Sequence, residues 1–292
     1  MASYAQQVRR RMAKKMDIMI VDEDYVKKPQ FPEKKVLDQG GQAKVRDLDN
    51  LKKSLKLNDT IAAILSMMGL FAAVVEYENY FGDSNKPHNT VTGYGNALRT
   101  IVTVTTVCLI AFLVRHAVLS FKIYVLKYPL LVQGGFFSSK YFKYLLIEIF
   151  IVAIHCPPGV EWNFEMNQLN MKFVYSFDLL ATNWMLLRCY LVCRLFALYS
   201  KWTGKVAEEC CEPEGCEANT IFAIKAVLKD KPYSTLLIAM ISSTIVFGLA
   251  IRNFERPYYY GQDPETFSGY QDYSYLWNGM WLMAVTMTTG KQ

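Results

Sequence analysis

Five apolar runs, each near the length of a bilayer crossing, constrain this chain more than any other feature. A hydrocarbon core about 30 Å thick takes about 20 mostly apolar residues per helical span, with a lower limit near 17. The first run, 60–75 (TIAAILSMMGLFAAVV), is short and becomes adequate with Leu57, Asn58 and Asp59 at the interface. The second, 98–121, is interrupted late by Arg115 and His116, and the third, 141–156, is stopped by Pro157-Pro158-Gly159. The fourth, 173–198, contains Asp178, Arg188 and Arg194, and the fifth, 234–251, is the cleanest. A sixth apolar stretch, 273–287, is too short to span and long enough for a re-entrant helix. A buried helix of a soluble protein explains one such run, but not five in succession.

Composition agrees once the chain is divided. Residues 1–57 hold 14 of the 32 Lys and Arg and 8 of the 26 Asp and Glu, and so carry the whole net charge of +6. The remainder is neutral and apolar. A charge confined to one end disfavours a nucleic-acid binder, which spreads basic residues over a folded surface. Seven cysteines, an odd number with several inside apolar runs, disfavour a secreted disulfide scaffold. The first 50 residues hold no apolar core of the length a cleavable signal needs. Lys and Arg counts in the head and successive loops alternate as 14, 1, 4, 1, 5 and 2. By the positive-inside rule the basic head is cytoplasmic and the fifth span exits outside. The block Val8-Arg9-Arg10-Arg11-Met12-Ala13-Lys14-Lys15 suits anionic lipid or a trafficking address, and equally a tail whose charge keeps it inside. Asp22-Glu23-Asp24 follows and weakens a lipid patch.

Ionisable residues within spans are costly and are candidates for function. Arg188 and Arg194 lie six residues apart, on different sides of one helix, which makes them weak gating charges. Asp178 cannot reach Arg188 along the same helix, and the competing reading for these charges is ion pairing with other segments, such as Glu148. The loop sequence ECCEPEGCE (209–217) gathers thiols and carboxylates, but its spacing matches no closed zinc site, and free cytosolic thiols are the simpler reading. No enzyme constellation appears: three histidines and no nucleophile elbow, Walker loop or H-E-x-x-H. No calcium-binding loop of the EF-hand type is present either. Gly93-Tyr94-Gly95 has the triplet of a potassium filter, but it sits in the loop after the first span with no short pore helix before it, so it reads as coincidence.

The end of the chain carries a resemblance. The segment YLWNGMWLMAVTMTT (275–289), with its M-W-L-x-x-x-T core, resembles the pore helix of the small- and intermediate-conductance calcium-activated potassium channels. EIFIVAIHCPPG (148–159) resembles that family's third segment and its exit. Leu187-Arg188-Cys189-Tyr190-Leu191, with Arg194 and Ser200-Lys201, resembles its fourth, and Arg252, Glu255 and Arg256 resemble the outer end of its fifth. The resemblance implies an all-α membrane protein, a polytopic helical bundle with five transmembrane helices plus a re-entrant pore helix. This is an incomplete six-helix tetrameric cation channel fold. It also implies a basic cytoplasmic tail (1–57), a four-helix sensor-like bundle (58–200), a cytoplasmic linker (201–233) and a partial pore domain (234–292).

The functional expectations follow from the same resemblance. Potassium is the permeant ion, Thr289 is an ion-binding residue, and Trp281, Thr286 and Thr288 belong to the pore helix. Arg188, Arg194 and Asp178 are the sensor-segment charges. Calcium acts through calmodulin, and the amphipathic stretch 218–228 is its contact within the linker, through Ile221, Ile224 and Leu228. The acidic insert around Cys210 departs from the family pattern. The partners are calmodulin, further channel subunits in a homo- or hetero-tetramer, and the lipid bilayer of the plasma membrane, with no nucleic acid and no cofactor or metal bound by the chain itself. The family continues with Gly-Tyr-Gly-Asp and a sixth span, whereas this sequence reads Thr289-Gly290-Lys291-Gln292. The expectation is therefore a truncated isoform, or a gene model reading into an intron at a GGTAAG donor, with conduction supplied by a longer transcript. Two rival readings are a non-conducting subunit that modulates or suppresses full-length partners, and a pore-less four-helix sensor or transporter-like protein.

Overall fold

The computed structural model describes residues 39–82, 93–129, 134–160, 162–168, 171–204, 207, 211, 220–259 and 271–289. Residues 1–48 and 49–292 are two units, and the helix packing belongs to the second. Helix α1, Gln39–Gly82, has 44 residues and extends the first apolar run at both ends, since no proline interrupts it. Helix α2, Gly93–Lys127, ends two residues before Pro129, which disfavours helical backbone in the residue ahead of it. Helix α3, Lys140–Ala153, has 14 residues. At 1.5 Å per residue it is about 21 Å long, less than the third apolar run promised. The backbone leaves the helix at Ile154, and Gly159 turns with a φ of +76°.

The fourth run differs from expectation in kind. Its first residues belong to a two-stranded antiparallel hairpin, β1 (Asn163–Gln168) and β2 (Met171–Ser176), with Asn163 opposite Ser176. Phe173, Val174 and Tyr175 favour a pleated strand. Helix α4, Phe177–Met185, begins only where Ser176 caps it, its Oγ accepting from the Leu179 N–H at 3.3 Å. A 3₁₀ turn, Leu186–Cys189, joins α4 to α5, Tyr190–Tyr199. The chain is therefore mostly helical rather than all-α.

Helix α6, Thr220–Asp230, occupies the predicted linker stretch. Helix α7, Pro232–Tyr259, starts on a proline that fits the first helical position, and α8, Leu276–Thr289, has 14 residues. Among the described residues, four helical segments are long and apolar enough to cross a membrane: 43–79, 93–127, 177–199 and 232–259. This is a helical membrane protein. One core cluster joins α1, α2, α3 and α5 through Ala62, Leu109, Leu113, Val152 and Leu191. A second joins α1, α2 and the α4–α5 junction through Leu70, Ala73, Val102 and Met185, with Val246 and Leu249 of α7 packed against it. Only 6% of the apolar window of α7 is buried, so most of that helix presents its side chains outward.

Candidate functional site

Among the described residues, three groups of buried polar side chains tie the helices together, and helix α8 is built onto one of them. Helix α8 crosses α7 at a pair of glycines. A Cβ on Gly248 would meet the backbone of Met280 at 3.0 Å, and one on Gly279 would collide with the Gly248 carbonyl oxygen. Small residues at such a crossing let two membrane helices approach closely. Arg252, one turn beyond Gly248, then fixes the start of α8. Its Nε donates to the Tyr273 carbonyl at 3.1 Å and its Nη2 to the Ser274 carbonyl at 2.6 Å. The same guanidinium makes a bidentate pair with Glu78 of α1, with Nη2 2.9 Å from Oε2. Arg256 Nη1 adds a contact of 3.1 Å to Glu78. The Tyr77 hydroxyl donates to the Asn253 carbonyl, and the Asn253 amide to Asn183 Oδ1, both at 3.0 Å. One end of α7 is thus fixed to α1, α4 and α8 together.

Next to this group lies a buried triad. Arg99 of α2 is 1% exposed, with Nε 2.9 Å from Glu76 Oε1 and Nη2 2.6 Å from Asp178 Oδ2. Its Nη1 donates to the Val160 carbonyl at 3.2 Å. One arginine between two carboxylates, hydrogen-bonded at all three nitrogens, is the geometry in which a buried charge is sustained. Asp178 is therefore Arg99's partner rather than Arg188's. Neither Arg99 nor Glu76 stood out in the sequence, because each borders an apolar run where a charge reads as interfacial. The available signal was position: Glu76 and Arg99 close the two ends of one inter-helix segment, so they arrive at the same face of the bundle.

Arg188 and Arg194 follow different courses. Arg188 is fully buried, and its Nη2 donates to Thr106 Oγ1 at 3.0 Å and to the Val152 carbonyl at 2.8 Å. Among the described residues no carboxylate pairs with it, and its Nε and Nη1 find no hydrogen-bond partner there. Gly69 makes room for it: a Cβ there would stand 3.3 Å from Arg188 Nη1. Arg194 belongs to the third group. Its Nη1 lies 2.9 Å from Glu148 Oε1 and its Nη2 3.3 Å from Asp59 Oδ1, while His116 Nδ1 reaches the same Asp59 oxygen at 2.6 Å. Glu148, named from sequence as a pairing partner, takes Arg194.

The remaining expected residues lie on α8 and α6. Trp281 is exposed and lines a cavity of about 440 Å³ with Asn278, Leu282 and Val285. The hydroxyls of Thr286 and Thr288 donate to the Leu282 and Ala284 carbonyls of their own helix, both at 2.8 Å. Thr289 is the last residue of α8, and its side chain lies outside the described residues. Ile221, Ile224 and Leu228 share one exposed face of α6, opposite the fully buried Ala223. Gly93, Tyr94 and Gly95 form the first turn of α2, a helical conformation unlike an extended filter. Of the thiol-rich loop only Cys211, a buried residue, lies within the described residues, and the basic block at 8–15 lies outside them.

Comparison with known proteins points one way. Residues 44–164 match the family model described as calcium-activated SK potassium channel. The chain is 25% identical over 242 residues to the small conductance calcium-activated potassium channel protein of Drosophila melanogaster, covering 80% of this chain and 24% of the fly protein. It thus spans about a quarter of the length of that curated relative. The family match takes in α1, α2, α3 and the start of the hairpin, and the fly alignment extends over most of the rest. By sequence the chain is similar to the calcium-activated SK potassium channels over most of its length.

Proposed function

We propose that the chain is a subunit of a calcium-activated, weakly voltage-dependent potassium channel gated through calmodulin, with its N-terminus in the cytoplasm of the plasma membrane. The observation that carries this reading is the seat of α8. A 14-residue apolar helix rich in threonine at its end is held by Gly248, Gly279 and Arg252 against the last long apolar helix. Such a helix fits a pore helix, which must hold its last backbone groups at a fixed point to aim them at an ion. In this reading α3 is a fifth, short membrane segment and α8 is re-entrant. Residues 1–57 are the cytoplasmic tail, 58–200 the sensor-like bundle, 201–233 the linker and 234–292 the pore-domain portion. Thr289 is the ion-binding residue, and Trp281, Thr286 and Thr288 are the pore-helix residues.

Weak voltage dependence is supported by the surroundings of the two arginines. Arg194 is paired with carboxylates of two other helices and Arg188 is enclosed, so neither is poised to move through the field. Calcium enters through calmodulin, whose contact in the linker is the exposed face of Ile221, Ile224 and Leu228. The mostly exposed α7 supports assembly as a homo- or hetero-tetramer. The test is co-expression of the tagged chain with a full-length channel subunit of this family. Tetramer-sized mixed complexes that retain calmodulin in calcium are expected. Monomers or dimers without the channel subunit would overturn the proposal in favour of a pore-less module.

A further inference from the structure

A groove outside the polar groups runs between α1 and α5, and its two walls are regular stripes. On α1, Ile64, Met67 and Phe71 succeed one another at helical spacing, all exposed. On α5, Val192 and Leu195 face them across a cavity of about 450 Å³ with almost no polar lining. Towards the N-terminal end of the α1 stripe the groove closes on a polar contact, Thr60 Oγ1 to the Tyr199 hydroxyl at 2.9 Å. Beyond it Lys56 lies over the Tyr199 ring, 5.9 Å from its centroid. Lys53, exposed and one turn further along α1, lies on the same face.

We propose that this groove binds an anionic phospholipid, with an acyl chain along Ile64, Met67 and Leu195 and the phosphate at Lys56 and Lys53. The charge and the length agree. A row of lysines at one end of an apolar channel fits a molecule with a phosphate at one end and a hydrocarbon chain at the other. The Thr60–Tyr199 contact marks the level where the chain gives way to the head. Long lysine side chains lie along apolar surface and place their ammonium at the headgroup level. Under the orientation proposed above, this end faces the cytoplasmic leaflet, where anionic lipids are found. A lipid held there braces α1 against α5, which carries Arg194.

The experiment is native mass spectrometry of the full chain in detergent, titrated with dioleoyl phosphatidylglycerol or dioleoyl phosphatidylcholine. The wild type is expected to retain phosphatidylglycerol in preference. The double variant Lys53→Gln/Lys56→Gln should weaken that binding by about fivefold per lysine and bring the two lipids level. Leu195→Trp, which fills the groove, should reduce retention of both, and Val192→Phe replaces it if circular dichroism shows lost helix. Equal retention of both lipids by the wild type, no change in the lysine variant, or no change on filling would each overturn the proposal. So would efficient chain-to-chain cross-linking of Met67→Cys in membranes, since the groove would then be a protein interface. Assembly with channel subunits is measured separately, so either proposal can fail while the other stands.

Discussion

At the residue scale, this molecule is organised by arginines set among helices. Arg99 shows what such a site is worth. It pairs with both Glu76 and Asp178 in a site where none of the three side chains is more than 11% exposed. Removing one partner of a buried pair leaves an uncompensated charge and costs about 3–5 kcal/mol. Arg99→Leu leaves two carboxylates facing each other, so thermal unfolding in detergent should show a loss of that size. Arg115→Leu, an exposed arginine of the same helix, should change little. Equal effects would mean that the triad contributes nothing beyond surface charge. Sequence alone exposed part of this scale. Asp178, Arg188 and Arg194 stood out because each interrupts an apolar run, and Glu148 was named as a partner. Arg99, Glu76, Glu78 and Asp59 did not stand out, because a charge at the edge of a run looks the same whether it meets water or another helix. Only the packing of helices distant in sequence separates the two cases.

At the element scale, periodicity and length located the helices, and their ends depended on local chemistry. The 173–198 run was mostly apolar around its three charges, so hydropathy read it as one span. Its β-forming residues pair with 163–168, and Ser176 delays the helix to Phe177. Helix α3 fell short of its run because the backbone turns extended at Ile154, ahead of Pro157. The linker helix α6 was legible to within two residues at each end, since its amphipathic stripe is short and isolated. Two predictions belong to this scale. Gly279→Val forces a side chain into the Gly248 carbonyl, and overpacking of this kind costs about 1–3 kcal/mol. Proteolysis at the α8 end should accelerate in that variant, and an unchanged cleavage rate would show that the α7–α8 crossing does not fix α8. In the second, Ile224→Ser with Leu228→Ser removes exposed apolar surface from α6 without touching the core. Retention of calcium-loaded calmodulin should fall while unfolding temperature holds. Full retention would remove α6 from the calmodulin contact.

At the scale of the whole molecule, the bundle and α7 meet at one end through Glu78, Arg252, Asn253 and the second core cluster. Elsewhere α7 stands largely bare, which is the arrangement expected of a helix that other subunits or lipid will cover. The sequence made the apolar body, the helical class and the channel resemblance readable, since these rest on composition and on local motifs. The fixing of α8 was not readable, because Gly248 and Arg252 each lie 20 or more residues before the groups they hold, Gly279 and the Tyr273 carbonyl, and carry no local pattern. The most direct measurement is the current in inside-out patches from cells expressing the native transcript that encodes this chain. Calcium is stepped from nominally zero to micromolar on the cytoplasmic face. A channel subunit predicts a potassium-selective current that appears with calcium, varies little with voltage and disappears when calmodulin is made unable to bind calcium. A current indifferent to calcium, or no change over untransfected cells together with no change in a co-expressed channel's current, would contradict it.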